Sequence, residues 1–369
     1  MRTVQLLIVG AGPAGLSAAI EAAKSRVQVM IIDENLRPGG QLFKQIHKFF
    51  GSRVHNAGTR GFRIGERLLK ETQELGVEVH LGYPVYGLFP GNEVVYGTVE
   101  GARRIKAEKI ILATGANENN IYFEGSVLPG VMTAGAAQTM INLHHVLPGQ
   151  KVVMVGSGNV GLIVSYQLLQ AGAQVAAVVE AGPDIGGYGV HANKLKRAGV
   201  PFYTSHTVQR AYGTDEVEAV ELVELENFKP IPGTEKRLEA DTICMAVGLT
   251  PMVELASLGG CEMTVSPVLG GTVPMHDHGM RTTNPDIYVA GDIAGVEEAS
   301  TAMEEGRLAG VAAAESLGCL STEQADRKKE EIHGRLKLLR SGQFGEKRAE
   351  AKAAIEADYR KWQGGGIGI

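Results

Sequence analysis

The chain has 369 residues and a net charge of −5 at pH 7, a balance that gives no reason to expect nucleic acid as a partner. With 44% apolar residues and 49 glycines it reads as an α/β enzyme with many close backbone approaches, long enough for two domains and a tail. Its three cysteines, Cys244, Cys261 and Cys319, form no CxxC pair, which excludes a disulfide framework and points to a reducing, cytoplasmic setting.

In chain order, the first element is the apolar strand Val4-Gln5-Leu6-Leu7-Ile8-Val9. It leads into Gly10-Ala11-Gly12-Pro13-Ala14-Gly15, an alanine-rich helix to about Lys24, and a second strand, Val27 to Ile32, ending in Asp33. A G-x-G-x-x-G turn between strand and helix, with an acid 18 residues after its last glycine, is the context that dinucleotide binding requires. The first glycine makes the tight turn, the second lets a pyrophosphate approach the backbone, and the third lets helix and strand pack closely. Free N–H groups and the helix dipole then face the phosphates. Arg2 and the small and apolar residues also suit a signal peptide. A cleaved leader has no use for a spaced acid after a second strand, so the segment reads as mature protein.

Pro38-Gly39-Gly40-Gln41 follows this unit. Gly76-Val77-Glu78-Val79-His80 then opens a run of short strands and turns that reaches Ile110-Ile111-Leu112-Ala113-Thr114-Gly115. The stretch from Val152 to Val179 contains 28 residues without a charge, long enough to cross a membrane. Its glycines and glutamines argue for a different parse: a strand (Val152 to Val155), a glycine turn, a helix (about Val160 to Gln170), a stop at Gly172, and a strand (Gln174 to Val179) ending in Glu180. No membrane span is therefore expected. Gly156-Ser157-Gly158-Asn159-Val160-Gly161 repeats the first motif 146 residues later, with its acid 19 residues beyond the last glycine. Gly199-Val200-Pro201-Phe202-Tyr203 then leads to Ile243-Cys244-Met245-Ala246-Val247-Gly248, as in the first half. Each half reads as a βαβ unit, a helix, a β-meander and a closing strand, and two nucleotide sites are the expectation.

Near the end of the fold stands Ile287-Tyr288-Val289-Ala290-Gly291-Asp292. With Gly10/Gly12/Gly15, Asp33, Gly39-Gly40, Ala113-Thr114-Gly115 and Gly156/Gly158/Gly161, it makes residues 3 to 317 resemble the two-dinucleotide-binding flavoproteins, which include glutathione and thioredoxin reductases. The resemblance implies two Rossmann-like domains: an FAD domain of two segments (1–120 and 249–320) around an inserted nucleotide domain (121–248), followed by a charged helical tail (321–369). It also implies FAD at Gly10, Gly12, Pro13, Ala14, Gly15, Asp33, Gly40, Gln41, Ala113, Thr114, Gly115, Gly291 and Asp292, with Glu34 as an alternative to Asp33. Ser300, in the first turn of a following helix, would lie toward the flavin's pyrimidine edge, where a helix start stabilises negative charge on the reduced ring. The second site, Gly156, Gly158, Asn159, Val160, Gly161 and Glu180, is expected to take NAD or another adenine nucleotide. No Arg or Lys occurs from Ala181 to Val190, and a carboxylate pairs with a free ribose 2′-hydroxyl but repels a 2′-phosphate.

Disulfide reductases of this group carry a redox cysteine pair after the Gly-Gly turn or in the second domain. No cysteine precedes Cys244 here, so thiol–disulfide chemistry is not the expected activity. The stretches Asp33 to Gln41, Tyr288 to Gly295 and Glu304 to Gly310 are similar to the FAD subunits of heteromeric amine and amino-acid dehydrogenases, such as sarcosine oxidase α, opine oxidase A, proline dehydrogenase α and hydrogen cyanide synthase B. The resemblance implies a partner subunit carrying flavin or an iron–sulfur centre, and a small-molecule substrate or electron carrier. From Ser321 onward there are 11 basic and 8 acidic residues in 49, read as two helices with apolar Ile332, Leu336 and Leu339 and with Phe344 between them. This tail is either a hairpin closing over the body or a subunit-docking element anchored by Tyr359 and Trp362. No pattern assigns a catalytic residue; Lys44 and His47, just after the Gly-Gly-Gln turn, are the candidates for acid–base or charge-stabilising work. His276-Asp277-His278 and His144-His145 lack further ligands in context, so no metal is expected.

Overall fold

The computed structural model describes residues 1–50, 52–342 and 345–365. Phe344 lies outside the described residues. Two compact units divide the chain, 1–117 with 250–369, and 118–249.

The first unit starts with β1 (Arg2–Val9), α1 (Pro13–Lys24) and β2 (Val29–Asp33). It continues through α2 (Gly61–Glu74), β3 (Glu78–Leu81) and an antiparallel run of β4 (Val85–Phe89), β5 (Glu93–Thr98) and β6 (Gly101–Leu112). The strands order as β3-β2-β1-β6-β5-β4. β1 lies parallel between β2 (Leu7 opposite Met30) and β6 (Leu7 opposite Ile110). Both faces of β1 and β2 are covered, so Leu6, Leu7, Ile8, Ile31 and Ile32 are fully buried; this is why these strands are continuously apolar rather than alternating.

The second unit repeats the plan. It contains β7 (Val131–Thr133), α3 (Ala134–Thr139), β8 (Lys151–Val155), α4 (Asn159–Ala171), β9 (Gln174–Glu180), α5 (Gly189–Arg197), β10 (Phe202–Thr204) and β11 (Thr242–Met245). Its sheet orders as β10-β9-β8-β11-β7. The charge-free run is thus strand, helix and strand, and among the described residues no helix is long and apolar enough to cross a membrane. A meander of 206–212, 219–226 and 236–239 covers one face of this sheet.

The chain then returns to the first unit. β12 (Ile287–Val289) adds in parallel to the far half of β6, and α6 (Ala299–Ser316) packs along α1. The tail forms α7 (Thr322–Leu339) and α8 (Glu346–Gln363). Ser321 and Gln324 close a capping box at the start of α7, satisfying two orphan donors. Ala325, Ile332 and Leu336 join the main core, and Ile355 of α8 packs on Leu269 and Val273. Tyr359 is buried against the body and tilted on half-buried Trp362, so it is not an exposed anchor.

Candidate functional site

β1 ends at Val9 and the chain turns at Gly10, whose φ of +104° suits only glycine. Gly10 N donates to Ile32 O (2.8 Å) and Ala113 N donates to Val9 O (2.8 Å). A side chain on Gly10 would strike the Ala113 carbonyl, and one on Gly15 the Gly10 carbonyl. Ala113-Thr114-Gly115 is therefore the wall against which the turn is pressed. Thr114 Oγ1 donates to Met252 O (2.8 Å) and Gly115 O accepts from Met252 N (3.0 Å), which fixes that wall. Gly12 differs, because a Cβ there meets no atom within 4 Å. With Gly12 as N-cap, no side chain caps α1, and Pro13 has no N–H, so Ala14 and Gly15 carry its orphan donors. Buried Asp33 fastens the loop: Oδ2 accepts from Ala11 N (2.5 Å), and Oδ1 from Asn35 N (2.7 Å). Glu34 is exposed.

Segments far apart in sequence meet this helix start. A Cβ on Gly40 would lie 3.0 Å from Gly12 Cα, and one on Gly291 would lie 2.9 Å from Ala14 Cβ. Gln41 follows, exposed. Asp292 sits in a short 3-10 turn, Gly291–Ala294, with its carboxyl pushed up to about 6, burial being the largest cause and the Glu297 N–H the main opposing one. Ser300 lies buried in the first turn of α6. Lys44 ends the 3-10 turn Gly40–Lys44, and half-buried His47 stacks on Phe49 (6.0 Å between centroids). Beyond them opens a surface cleft of about 530 Å³ lined by Lys48, Arg60, Arg63, Glu66, Arg67 and Lys70 among others.

The second turn repeats the first bond by bond. Gly156 has φ +101°, its N donates to Val179 O (2.7 Å), and Ala246 N donates to Val155 O (2.7 Å). Side chains on Gly156 and Gly161 would strike the Ala246 and Gly156 carbonyls, whereas Gly158 again faces open space at an uncapped helix start. Glu180 Oε2 accepts from Ser157 N (2.9 Å) and Oγ (2.6 Å), and Oε1 from Gly182 N (2.9 Å). Asn159 Oδ1 accepts from Tyr188 N (2.8 Å), and Val160 is exposed at 42%.

The pyridine nucleotide-disulphide oxidoreductase family model matches residues 4–306. The chain belongs to this family. It is 32% identical over 336 residues to opine oxidase A of Agrobacterium tumefaciens (strain Ach5), covering 86% of this chain and 67% of that one. Against hydrogen cyanide synthase subunit HcnB of Pseudomonas aeruginosa it is 27% identical, over 96% of this chain and 80% of the relative. It spans 63% of opine oxidase A from Rhizobium meliloti. Two solved structures share the fold: L-proline dehydrogenase from P. horikoshii (TM-score 0.69, 23% identity, 90% of this chain, 59% of that one) and T. acidophilum thioredoxin reductase (0.71, 21%, 86% and 100%).

FAD and a pyridine nucleotide are the cofactors of this oxidoreductase family, and the two open glycine cradles fit two dinucleotides. This member lacks the family's disulfide. All three cysteines are free, and burial pushes the Cys244 thiol up to about 12 and raises that of Cys261. Among the described residues no cluster could hold a metal ion.

Sequence reasoning missed a buried charge network behind Gly291. Glu304 and Glu305 of α6 are 0% and 2% exposed. Glu304 accepts from Arg307 Nη1 (2.5 Å) and Arg335 Nε (3.0 Å), and His55 lies 3.5 Å away. Glu305 Oε1 accepts from Arg340 Nη2 (2.5 Å) and Lys352 Nζ (2.6 Å), while its Oε2 accepts from Gly291 N (3.0 Å). The available signal was an adjacent pair of acids inside an otherwise small and apolar helix.

Proposed function

We propose that this chain is the flavoprotein subunit of a heteromeric amine or amino-acid dehydrogenase, moving electrons between FAD and NAD(H) or a partner flavin or iron–sulfur subunit. The observation that carries the cofactor assignment is the convergence of Gly12, Gly40 and Gly291 on one uncapped helix start, with Asp33 and Asp292 at its margins. The names of the relatives, subunits of opine oxidase and of hydrogen cyanide synthase, support the subunit reading.

When bound, FAD supplies the electron transfer; the chain's own work is to bind and orient it. Ala14 and Gly15 N–H groups would meet the pyrophosphate, Asp33 the adenosine ribose, and Asp292 the ribityl side. Gly158 and the start of α4 would do the same for the second nucleotide, and Glu180 favours NAD over NADP. The free thiols suit a cytoplasmic enzyme. An acidic partner face would dock on the cationic cleft around Arg63 and Arg67.

The test is anaerobic stopped-flow of the purified chain, following flavin absorbance on mixing with NADH and then NADPH. Bleaching by NADH alone supports hydride transfer at the second site; fast, complete turnover without a partner would instead make the chain a self-sufficient NADH:acceptor oxidoreductase. Bound FAD that neither coenzyme bleaches would assign the second site a structural or other adenine nucleotide and leave catalysis to the partner subunit.

A further inference from the structure

The tail is not an appendage of the FAD-type unit. Carboxylates as deeply buried as Glu304 and Glu305 require paired cations, and three of the four cations that reach them, Arg335, Arg340 and Lys352, come from α7 and α8 or the turn that joins them. Lys352 is 3% exposed and its Nζ also donates to Ala294 O (2.9 Å), at the end of the turn that carries Asp292. Arg340 bridges Glu305 to Glu297, whose backbone N–H lies 3.4 Å from Asp292 Oδ1. The Gly291–Ala294 turn is thus held at its first residue by Glu305 and at its last by Lys352.

Building on the FAD reading above, we propose that Lys352 and Arg340 are positioning residues for the flavin: through Glu305 and the Ala294 carbonyl they fix the turn that presents Asp292 to the cofactor. The C-terminal helices then act on the FAD site through that turn. In free-energy terms the coupling is reciprocal, so FAD must tighten the tail as the tail tightens FAD.

Apoprotein reconstitution with FAD, followed by quenching of flavin fluorescence, tests this on the full chain. Lys352→Met should weaken FAD binding at least tenfold, because it removes both the charge on Glu305 and the donor to Ala294 O. Arg335→Met is the control, because it breaks a comparable tail-to-body pair at Glu304 that does not hold the turn. It should lower thermal stability yet leave FAD affinity unchanged. Equal affinity of Lys352→Met and wild type, or equal losses from Lys352→Met and Arg335→Met, would overturn the proposal. Should Lys352→Met fail to fold, hydrogen exchange on the wild type decides: amides of 346–363 must gain protection on adding FAD beyond those of 219–226, and no differential gain overturns it. A wild-type chain that binds no FAD at all would instead refute the cofactor reading itself.

Discussion

The turns at Gly10 and Gly156 share a backbone and differ in what stands behind it. Each is pinned by the same hydrogen bonds to the end of the second strand and to a closing Ala. Around the first, Gly40 and Gly291 close in and a buried ion network lies behind Gly291. Around the second, among the described residues, only the nearby Gly186–Gly187 segment closes in: Gly186 N donates to Ser157 Oγ (2.9 Å), and a Cβ on Gly187 would lie 3.0 Å from Asn159 N. The motif therefore fixes the loop, whereas its surroundings decide how a ligand is gripped, and the first site depends on distant chain in a way the second does not.

The largest effects should come from the glycines that the two turns share. Gly15→Ala and Gly161→Ala each force a Cβ onto a backbone carbonyl and should cost about 3–5 kcal/mol of the affected unit; differential scanning calorimetry would show one transition lowered in each. Gly12→Ala and Gly158→Ala separate the sites from the fold. A methyl fits at both positions, so the melts should change by less than about 1 kcal/mol. Flavin retention should fall tenfold or more in the first, and NADH bleaching in the second.

Coenzyme choice comes next. NADH should outpace NADPH at least tenfold in the wild type, and Glu180→Gln should narrow the ratio, both read by stopped-flow. Charge reversal at Arg63 and Arg67 should weaken co-purification with a partner subunit several-fold while leaving NADH bleaching intact.

The smallest effect is on pH. Asp292 is an acid raised to about 6 by burial, so its contribution to apoprotein stability is full below the ordinary aspartate range and is lost as pH rises through about 6. Asp292→Asn removes that loss. Between pH 5 and 7.5 the melting temperature of the variant should gain on the wild type by on the order of 2 °C, while its FAD affinity falls. Nothing at the second turn predicts a matching shift, so a flat difference would place the titration elsewhere.

The two βαβ units were readable because unbroken apolar strands, spaced glycines and a terminal acid each leave a mark of fixed period; α4 runs Asn159–Ala171 against the expected Val160 to Gln170. β10 begins at Phe202, just past Pro201, since proline has no N–H to give to a ladder. The convergence of Gly40, Gly291 and Gly12 was legible only through the family resemblance, because spacing carries no distance between remote segments. The charge network was not legible at all. Lys352 stands in a helix as charged as any solvated one, and its burial follows from how Ile355 seats α8 on Leu269 and Val273. His333 shows the same limit: burial beneath the His278 ring, 3.5 Å away, pulls it down to about 4.

The buried thiols carry a practical consequence. A sulfur whose pKa is about 12 is thiolate in on the order of one molecule in 10⁵ at pH 7, and thiolate is the form that oxidants and alkylating agents attack. Cys244, and buried Cys261 whose thiol burial also raises, should therefore be chemically silent in the native protein, and half-buried Cys319, at the junction of α6 and the tail, is the natural attachment point for a single reporter dye. Mass spectrometry after iodoacetamide should count one adduct on the folded chain and three in urea.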